Sequence, residues 1–368
     1  MKPASPVKPP EELSVADQLR QLLGRVQSVS LLDMRAETPI GELRYLADLS
    51  VRLNAHGDEW TLLVEGKPSG EPRVVRGAAW QLKRALEALP GRNYGLVAAP
   101  FLSEASQAIL QEAGLGWLDQ AGNCHLAFGS VYIDVQRASR NPFATRRSSR
   151  SLFAPKSARL LRLLLTSPVP WKVTDLAREA SVSLGQVSNV RQALLEKEWA
   201  AAEVGGGLRV TRPEAMLDAW REAARPPTIA MRGYSLAHGK HLETQLQLLF
   251  ARAPLEGARI LLASYSAARR MAPFARVAGE YFYADTKGVD LIRRHLELEP
   301  ATKGENVTIY QPVDDTMWGE AVALSGELRA SSHLQTYLDL WTSGERGKEA
   351  ADHFRREMIE PLMGRLHD

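Results

Sequence analysis

At 368 residues, 45% hydrophobic and 24% charged, the chain has the length of two or three domains and enough apolar residues to exclude wholesale disorder. Its single cysteine, Cys124, excludes a disulfide framework and a Cys-rich zinc site. The formal charge of +3 conceals an uneven distribution: Val135 to Thr174 holds nine basic residues and no acidic one. Such a belt in an otherwise mildly acidic chain is the footprint of a polyanion site.

Residues 1–12, with four prolines among the first ten, read as a disordered lead-in. Residues 13–136 read as an α/β domain with a mixed sheet. Leu19, Leu22, Leu23 and Val26 recur at helical spacing and predict a helix over 13–32. Leu49 to Leu53 alternates, His56-Gly57-Asp58 turns, and Trp60 to Glu65 resumes, which predicts a β-hairpin. A helix over 74–89, a strand over 94–99, a helix from Ser103 to Ala113 and strands at 117–119 and 131–135 follow. The first strand after the hairpin turn ends in Glu65-Gly66-Lys67, and the next helix carries Gln81. Residues two apart on a strand share a face. This Glu-x-Lys at a strand end, between a hairpin and a helix, resembles the core of restriction-endonuclease-like PD-(D/E)XK domains. The resemblance implies carboxylates that hold Mg²⁺ and a lysine that positions or activates the attacking water. Asp48 and Asp58 are the available second carboxylates, Asp58 lying in the turn. A catalytic set would then be Glu65, Lys67, Gln81 and Asp48, though fold does not carry activity with it and the favoured expectation is a protein without enzymatic activity.

Residues 137–155 read as a basic linker, and 156–224 as helix, helix, tight turn, helix and β-hairpin. That order resembles the winged helix-turn-helix of bacterial transcription regulators. Ser183 and Gln186 form an S-x-x-Q capping box, and Val187, Val190 and Leu194 line an inner face. The outer face offers Gln186, Ser188, Asn189, Arg191 and Gln192, side chains able to read base edges in a major groove. Gly205, Gly206 and Gly207 suit a wing tip, with Arg209 and Arg212 beside it. Arg137, Arg140, Arg146, Arg147, Arg150, Lys156 and Lys172 would grip phosphates with a strong salt dependence.

Residues 228–368 read as a further α/β domain, with a helix near 242–250 and strands near 258–264, 280–284 and 306–310. Arg269 and Arg270 read as solvated surface. Three stretches resemble bacterial regulators grouped with the type IV toxin–antitoxin AbiEi-family antitoxins: Gly114 to Asn123, Ala263 to Ala268, and Ser331 to Leu340 continued by Gly344 to Ala351. That resemblance implies a cytoplasmic regulator that represses its own operon, a nucleotidyltransferase-like C-terminal fold and a cognate toxin as partner. No Gly-Ser followed by Asp-x-Asp is present, so nucleotidyl transfer is not expected.

There is no P-loop, no His-Glu-x-x-His and no Gly-x-Ser-x-Gly elbow. No apolar run reaches membrane-spanning length and no secretory signal opens the chain, so a membrane is not expected as a partner. The expectation is a multidomain α/β protein with a central winged helix that binds double-stranded DNA in transcription control without a cofactor. Winged-helix regulators often dimerise on palindromic sites, which makes a second copy of the chain a further partner to test. The rivals are a Mg²⁺-dependent DNA endonuclease targeted by the winged helix and an antitoxin that neutralises a toxin through its C-terminal domain.

Overall fold

The computed structural model describes residues 14–40, 45–143, 152–274, 279–301 and 303–364. The lead-in 1–12 and the linker positions Arg146, Arg147 and Arg150 lie outside the described residues. The chain forms two compact units: 1–146 with 194–198, and 147–193 with 199–368. Both contain a mixed α/β sheet.

The first unit opens with α1 (Val15–Leu23), capped by the Ser14 hydroxyl, which accepts from the Asp17 N–H at 3.1 Å. Gly24 follows the last turn, and residues expected to prolong this helix instead begin β1 (Val29–Pro39). The physical reason is position: β1 is an edge strand with no clean alternation of burial, so Leu31-Leu32 imitates a helical stripe. Strands β2 (Leu46–Ala55) and β3 (Asp58–Gly66) form the expected hairpin. Its turn is the two residues His56 and Gly57, both left-handed at φ 53° and 91°, as a twisted two-residue hairpin requires.

Helix α2 (Pro72–Glu87), with Pro72 in its first turn, crosses to β4 (Arg92–Ala99), parallel to β3. Helix α3 (Glu104–Glu112) crosses to β5 (Gly116–Asp119), again parallel. Strands β6 (Cys124–Phe128) and β7 (Val131–Val135) complete a seven-stranded sheet in sequential order. Alternation divides the central strands between two cores. Leu62, Val64 and Leu96 pack with Leu19 and Leu23 of α1, whereas Leu63 and Val97 pack with Val75, Ala78 and Leu82 of α2. Burial on both faces explains why β3 reads as an almost continuous apolar run.

In the second unit, α4 (Pro155–Thr166), α5 (Val173–Glu179) and α6 (Leu184–Glu196) precede a two-stranded sheet of β8 (Ala200–Ala202) and β9 (Leu208–Val210). Helix α5 begins at Val173, and its N-cap, Lys172, makes no side-chain cap bond.

After α7 (Pro213–Ala223) come β10 (Ile229–Tyr234), α8 (Gly239–Arg252), β11 (Ile260–Leu262), α9 (Ser264–Met271) and β12 (Glu280–Ala284). Next are α10 (Thr286–His295), β13 (Glu299–Pro300), β14 (Val307–Tyr310), β15 (Val322–Ala323) and β16 (Arg329–Ala330). Helices α11 (His333–Trp341), α12 (Glu345–Phe354) and α13 (Glu360–Gly364) close the chain, the last two joined by a π-turn. The sheet order β13-β10-β14-β12-β11-β16-β15 mixes parallel and antiparallel neighbours.

Candidate functional site

The hairpin register builds one polar cluster in the first unit. Leu49 pairs with Val64, so the next step along β2 and β3 sets Asp48 across from Glu65. Glu65 is only 5% exposed, on a strand flanked by β2 and β4. A buried carboxylate needs donors on its oxygens. Lys67 Nζ supplies one, 2.5 Å from Oε1, and the Tyr45 hydroxyl donates to Oε2. Asp48, exposed, accepts the Gly66 N–H on Oδ2 at 2.7 Å. Burial together with the Glu65 carboxylate raises the Tyr45 phenol far above its usual pKa, so it stays a donor.

Asp48, Glu65 and Lys67 are therefore brought together at one end of the β2–β3 pair, and Gln81 is not. Gln81 is exposed on α2, beside the core residue Leu82, because the buried stripe of that helix runs through Val75, Ala78, Leu82 and Ala85. Asp58 is at the opposite end of β3, 3.4 Å from Arg92. Tyr45 escaped sequence reasoning altogether; its one signal was a polar-tipped aromatic three positions before Asp48.

Asp119 and Asn123 have structural work. Asp119 accepts from the N–H groups of Leu102 and Asn123, and the Asn123 amide oxygen accepts from those of Arg137 and Ala138. The turn after β5 is thus held by the Asp119 and Asn123 side chains, which accept backbone N–H groups from within the stretch and from beyond it.

Several expected DNA contacts are engaged elsewhere. On α6, Ser188, Asn189 and Gln192 are exposed. Gln186 instead donates to Ser157 Oγ at 2.7 Å, so only half of the capping box forms, through the Gln186 N–H to Ser183 Oγ at 3.2 Å. Arg191 is half-buried, with its Nε enclosed and lacking a hydrogen-bond partner. At the hairpin, Gly205 and Gly206 take φ of 100° and 88° at an exposed tip, but Gly207 is buried against Pro170. Arg209 bonds Glu203 at 2.6 Å and the Pro168 carbonyl, which neutralises it locally. Arg137, Arg140, Lys156, Lys172 and Arg212 are exposed. Within the belt, Arg159 and Arg162 turn inward: Arg162 pairs with Glu320 at 2.7 Å, and both arginines lie 3.5 Å from Asp314.

The sheet of the second unit holds its own buried polar groups. Glu280, at the head of β12, accepts from Ser266, Arg269 and Arg270, so these arginines are not solvated surface. Asp339 on α11 accepts from the Tyr283 hydroxyl and Gln335 Nε2, each at 2.8 Å. Burial pushes its carboxyl up to about 7 against the pull of Gln335, Tyr283 and the Ser264 N–H. Between the usual carboxylate value near 4 and about 7, the folded chain holds a proton that the unfolded chain has released. Stability from this group is therefore full at low pH and lost as pH rises through that window. Asp339→Asn should remove this loss. Urea unfolding at pH 5 and pH 8 should show the variant gaining on the native chain by on the order of 3 kcal/mol across the interval. An equal gap at both pH values would refute the assignment.

Among the described residues, no group of three or more His, Cys, Asp and Glu side chains is arranged to hold a metal, and no helix is long and apolar enough to cross a membrane. No family model and no curated protein matches the chain. Among solved structures it is similar to a repair endonuclease from Pyrococcus abyssi, at 17% identity over 32% of this chain and 49% of that one, with a TM-score of 0.22. It is similar to EndoMS in an EndoMS–dsDNA2 complex, at 21% identity over 31% and 49%, with a TM-score of 0.21. A third likeness, at 10% identity and a TM-score of 0.23, is to the Megavirus polyadenylate synthase over 85% of this chain and 59% of that one. The chain spans about half the length of the endonuclease structures it matches. Against the expectation of a protein without enzymatic activity, one of these similar structures is named as a repair endonuclease.

Proposed function

We propose that the chain is a divalent-metal-dependent DNA nuclease whose site is the Asp48–Glu65–Lys67 cluster. The observation that carries the reading is the gathering of three side chains at one strand end: Asp48 Oδ2 accepts the Gly66 N–H at 2.7 Å, and Lys67 Nζ sits 2.5 Å from Glu65 Oε1. Two carboxylates are a sparse donor set, and they suit Mg²⁺, which keeps several waters and uses one or two carboxylates plus substrate phosphate. Asp48 and Glu65 would hold the ion, as the nuclease alternative expects. When bound, it would stabilise charge on the phosphoryl oxygens and acidify a bound water. Glu65 keeps the lysine at the site, and the Lys67 ammonium is the cation that would meet the scissile phosphate. Incubation of supercoiled and linear duplex DNA with the protein in Mg²⁺ or in EDTA tests the reading. Mg²⁺-dependent nicking supports it; intact DNA with Mg²⁺ or Mn²⁺ refutes it.

A second reading, specific DNA binding in transcription control, is favoured by the exposure of Ser188, Asn189 and Gln192 on α6 beside a glycine-tipped hairpin. In it, the helices α4 to α6 and the β8–β9 hairpin act as a winged helix, and the exposed Lys156 and Lys172 hold phosphates. Lys172→Ala should weaken binding equally on the chain's own promoter and on scrambled duplex. It should also lower the slope of log K against log salt by about one. Asn189→Ala should act on the promoter alone. Equal loss on both sequences from Asn189→Ala would remove the base-reading role. The toxin partner and the second copy of the chain belong to this reading; co-purification with a neighbouring gene product and sedimentation test them.

A further inference from the structure

The outward face of α2 carries chemistry that the carboxylate cluster does not use. The helix opens just after the strand end that holds Glu65 and Lys67, and its sole acidic residue is its last, Glu87. At about 100° per residue, Arg73, Gly77, Lys83 and Arg84 fall within about 60° of the line through Trp80, opposite the buried stripe of the helix. Arg76 shares that line but is taken by Glu198, which its guanidinium meets in two bonds of 2.9 Å. Three members of the stripe stand where a merely solvated helix face would not put them. Arg73 occupies the first turn, where the helix dipole favours an acid and none is present. Gly77 weakens the helix interior relative to alanine, yet an added Cβ would meet nothing within 4 Å, so packing does not require the glycine. Trp80 is 61% exposed, and the Arg84 guanidinium lies 5.0 Å from the centre of its ring. Helical side chains lean back over the preceding turn, so the bare glycine keeps the approach to the indole open.

Resting on the nuclease reading for its substrate, we propose that this face of α2 binds single-stranded DNA. One base stacks on Trp80, and Arg73, Lys83 and Arg84, all exposed, hold the phosphates around it. An indole offers a stacking surface that any base can use, and the cations meet any phosphodiester, so the face selects for strandedness and not for sequence. Bases inside a duplex are stacked on one another and cannot reach the ring. The substrate class that follows is DNA with an unpaired stretch.

Fluorescence anisotropy of a labelled oligo(dT) strand with the full chain in EDTA reads binding with metal-dependent cleavage switched off. Trp80→Ala should weaken binding about tenfold, the loss expected for one stacked base, and Trp80→Phe should keep most of it. Arg73→Ala combined with Lys83→Ala should lower the slope of log K against log salt by about 1.4, at about 0.7 for each phosphate of a single strand. These side chains are exposed, so the variants should melt with the native chain. A strand carrying 5-iododeoxyuridine should cross-link to Trp80 under ultraviolet light, which separates this face from every other cationic surface of the chain. Native affinity in Trp80→Ala, or an adduct that maps only elsewhere, overturns the proposal. If cleavage in Mg²⁺ persists beside that result, the nuclease reading stands without the face. Strand binding at Trp80 by a chain that leaves DNA intact in Mg²⁺ supports the face and removes the nuclease.

Discussion

Glu65→Gln is expected to lower Mg²⁺-dependent DNA cleavage by about 10³-fold or more, the largest single effect on activity that the site offers. On the proposed reading, removing the carboxylate charge would take away one of two protein ligands for the ion, and metal stabilisation of a phosphoryl transition state is worth several kcal/mol. Glutamine keeps the shape and one acceptor oxygen, so the Tyr45 hydroxyl retains a partner. The fold should therefore survive, as thermal melting would check. Asp48→Asn should act in the same direction on cleavage, because Asp48 accepts the N–H of Gly66, the residue after Glu65. Gln81→Ala should leave the rate within about twofold, since Gln81 points to solvent from α2 and a surface substitution changes little. Cleavage that persists in Glu65→Gln would remove the cluster from the chemistry.

Much of the candidate cluster is legible in the sequence. Glu65 and Lys67 share a face because β side chains alternate, and the apolar run before them identifies a strand buried on both faces. Asp48 is named from the sequence as a second carboxylate, and its register is legible too. Once His56-Gly57 is taken as a two-residue turn, Ala55 must face Asp58 and, seven steps on, Asp48 must face Glu65. Reading the turn as His56-Gly57-Asp58 blurs that register by one residue, and a one-residue slip reverses every side chain. Tyr45 meets Glu65 across 20 positions of sequence, and no local pattern announces such a contact.

The same limit explains the errors. β1 lies at a sheet edge, where burial does not alternate, so its leucines imitated a helix. Arg159 and Arg162 belong to the basic run, yet their partners are about 150 residues away. Charge patterning located the belt and could not tell which of its members face inward.

Arg162 carries the second large expectation, this time on stability. Its side chain is 7% exposed, with Nε 2.8 Å from Glu320 Oε1 and Nη2 within reach of Asp314 and Thr316. Burial works to raise the Asp314 carboxyl, but hydrogen bonds from Thr316 together with Arg162 and Arg159 outweigh it and hold that group below the usual range. Stability from Asp314 is then present above the ordinary carboxylate pKa and lost as pH falls through the lowered folded value. Arg162→Met should cost about 3 kcal/mol, because it leaves the half-buried Glu320 without its cation and Asp314 with Arg159 alone. Urea unfolding followed by tryptophan fluorescence would measure it. Replacing Asp314 and Glu320 as well, with Asn and Leu, should restore most of the loss, since an apolar substitute for a whole buried ion cluster is often neutral. Helix α4 carries Arg162, whereas Asp314 and Glu320 lie between β14 and β15, so the cluster fastens the three-helix module to the C-terminal sheet within one unit. A single-variant loss below about 1 kcal/mol would reduce Arg162 to a solvated pair of the kind found at surfaces.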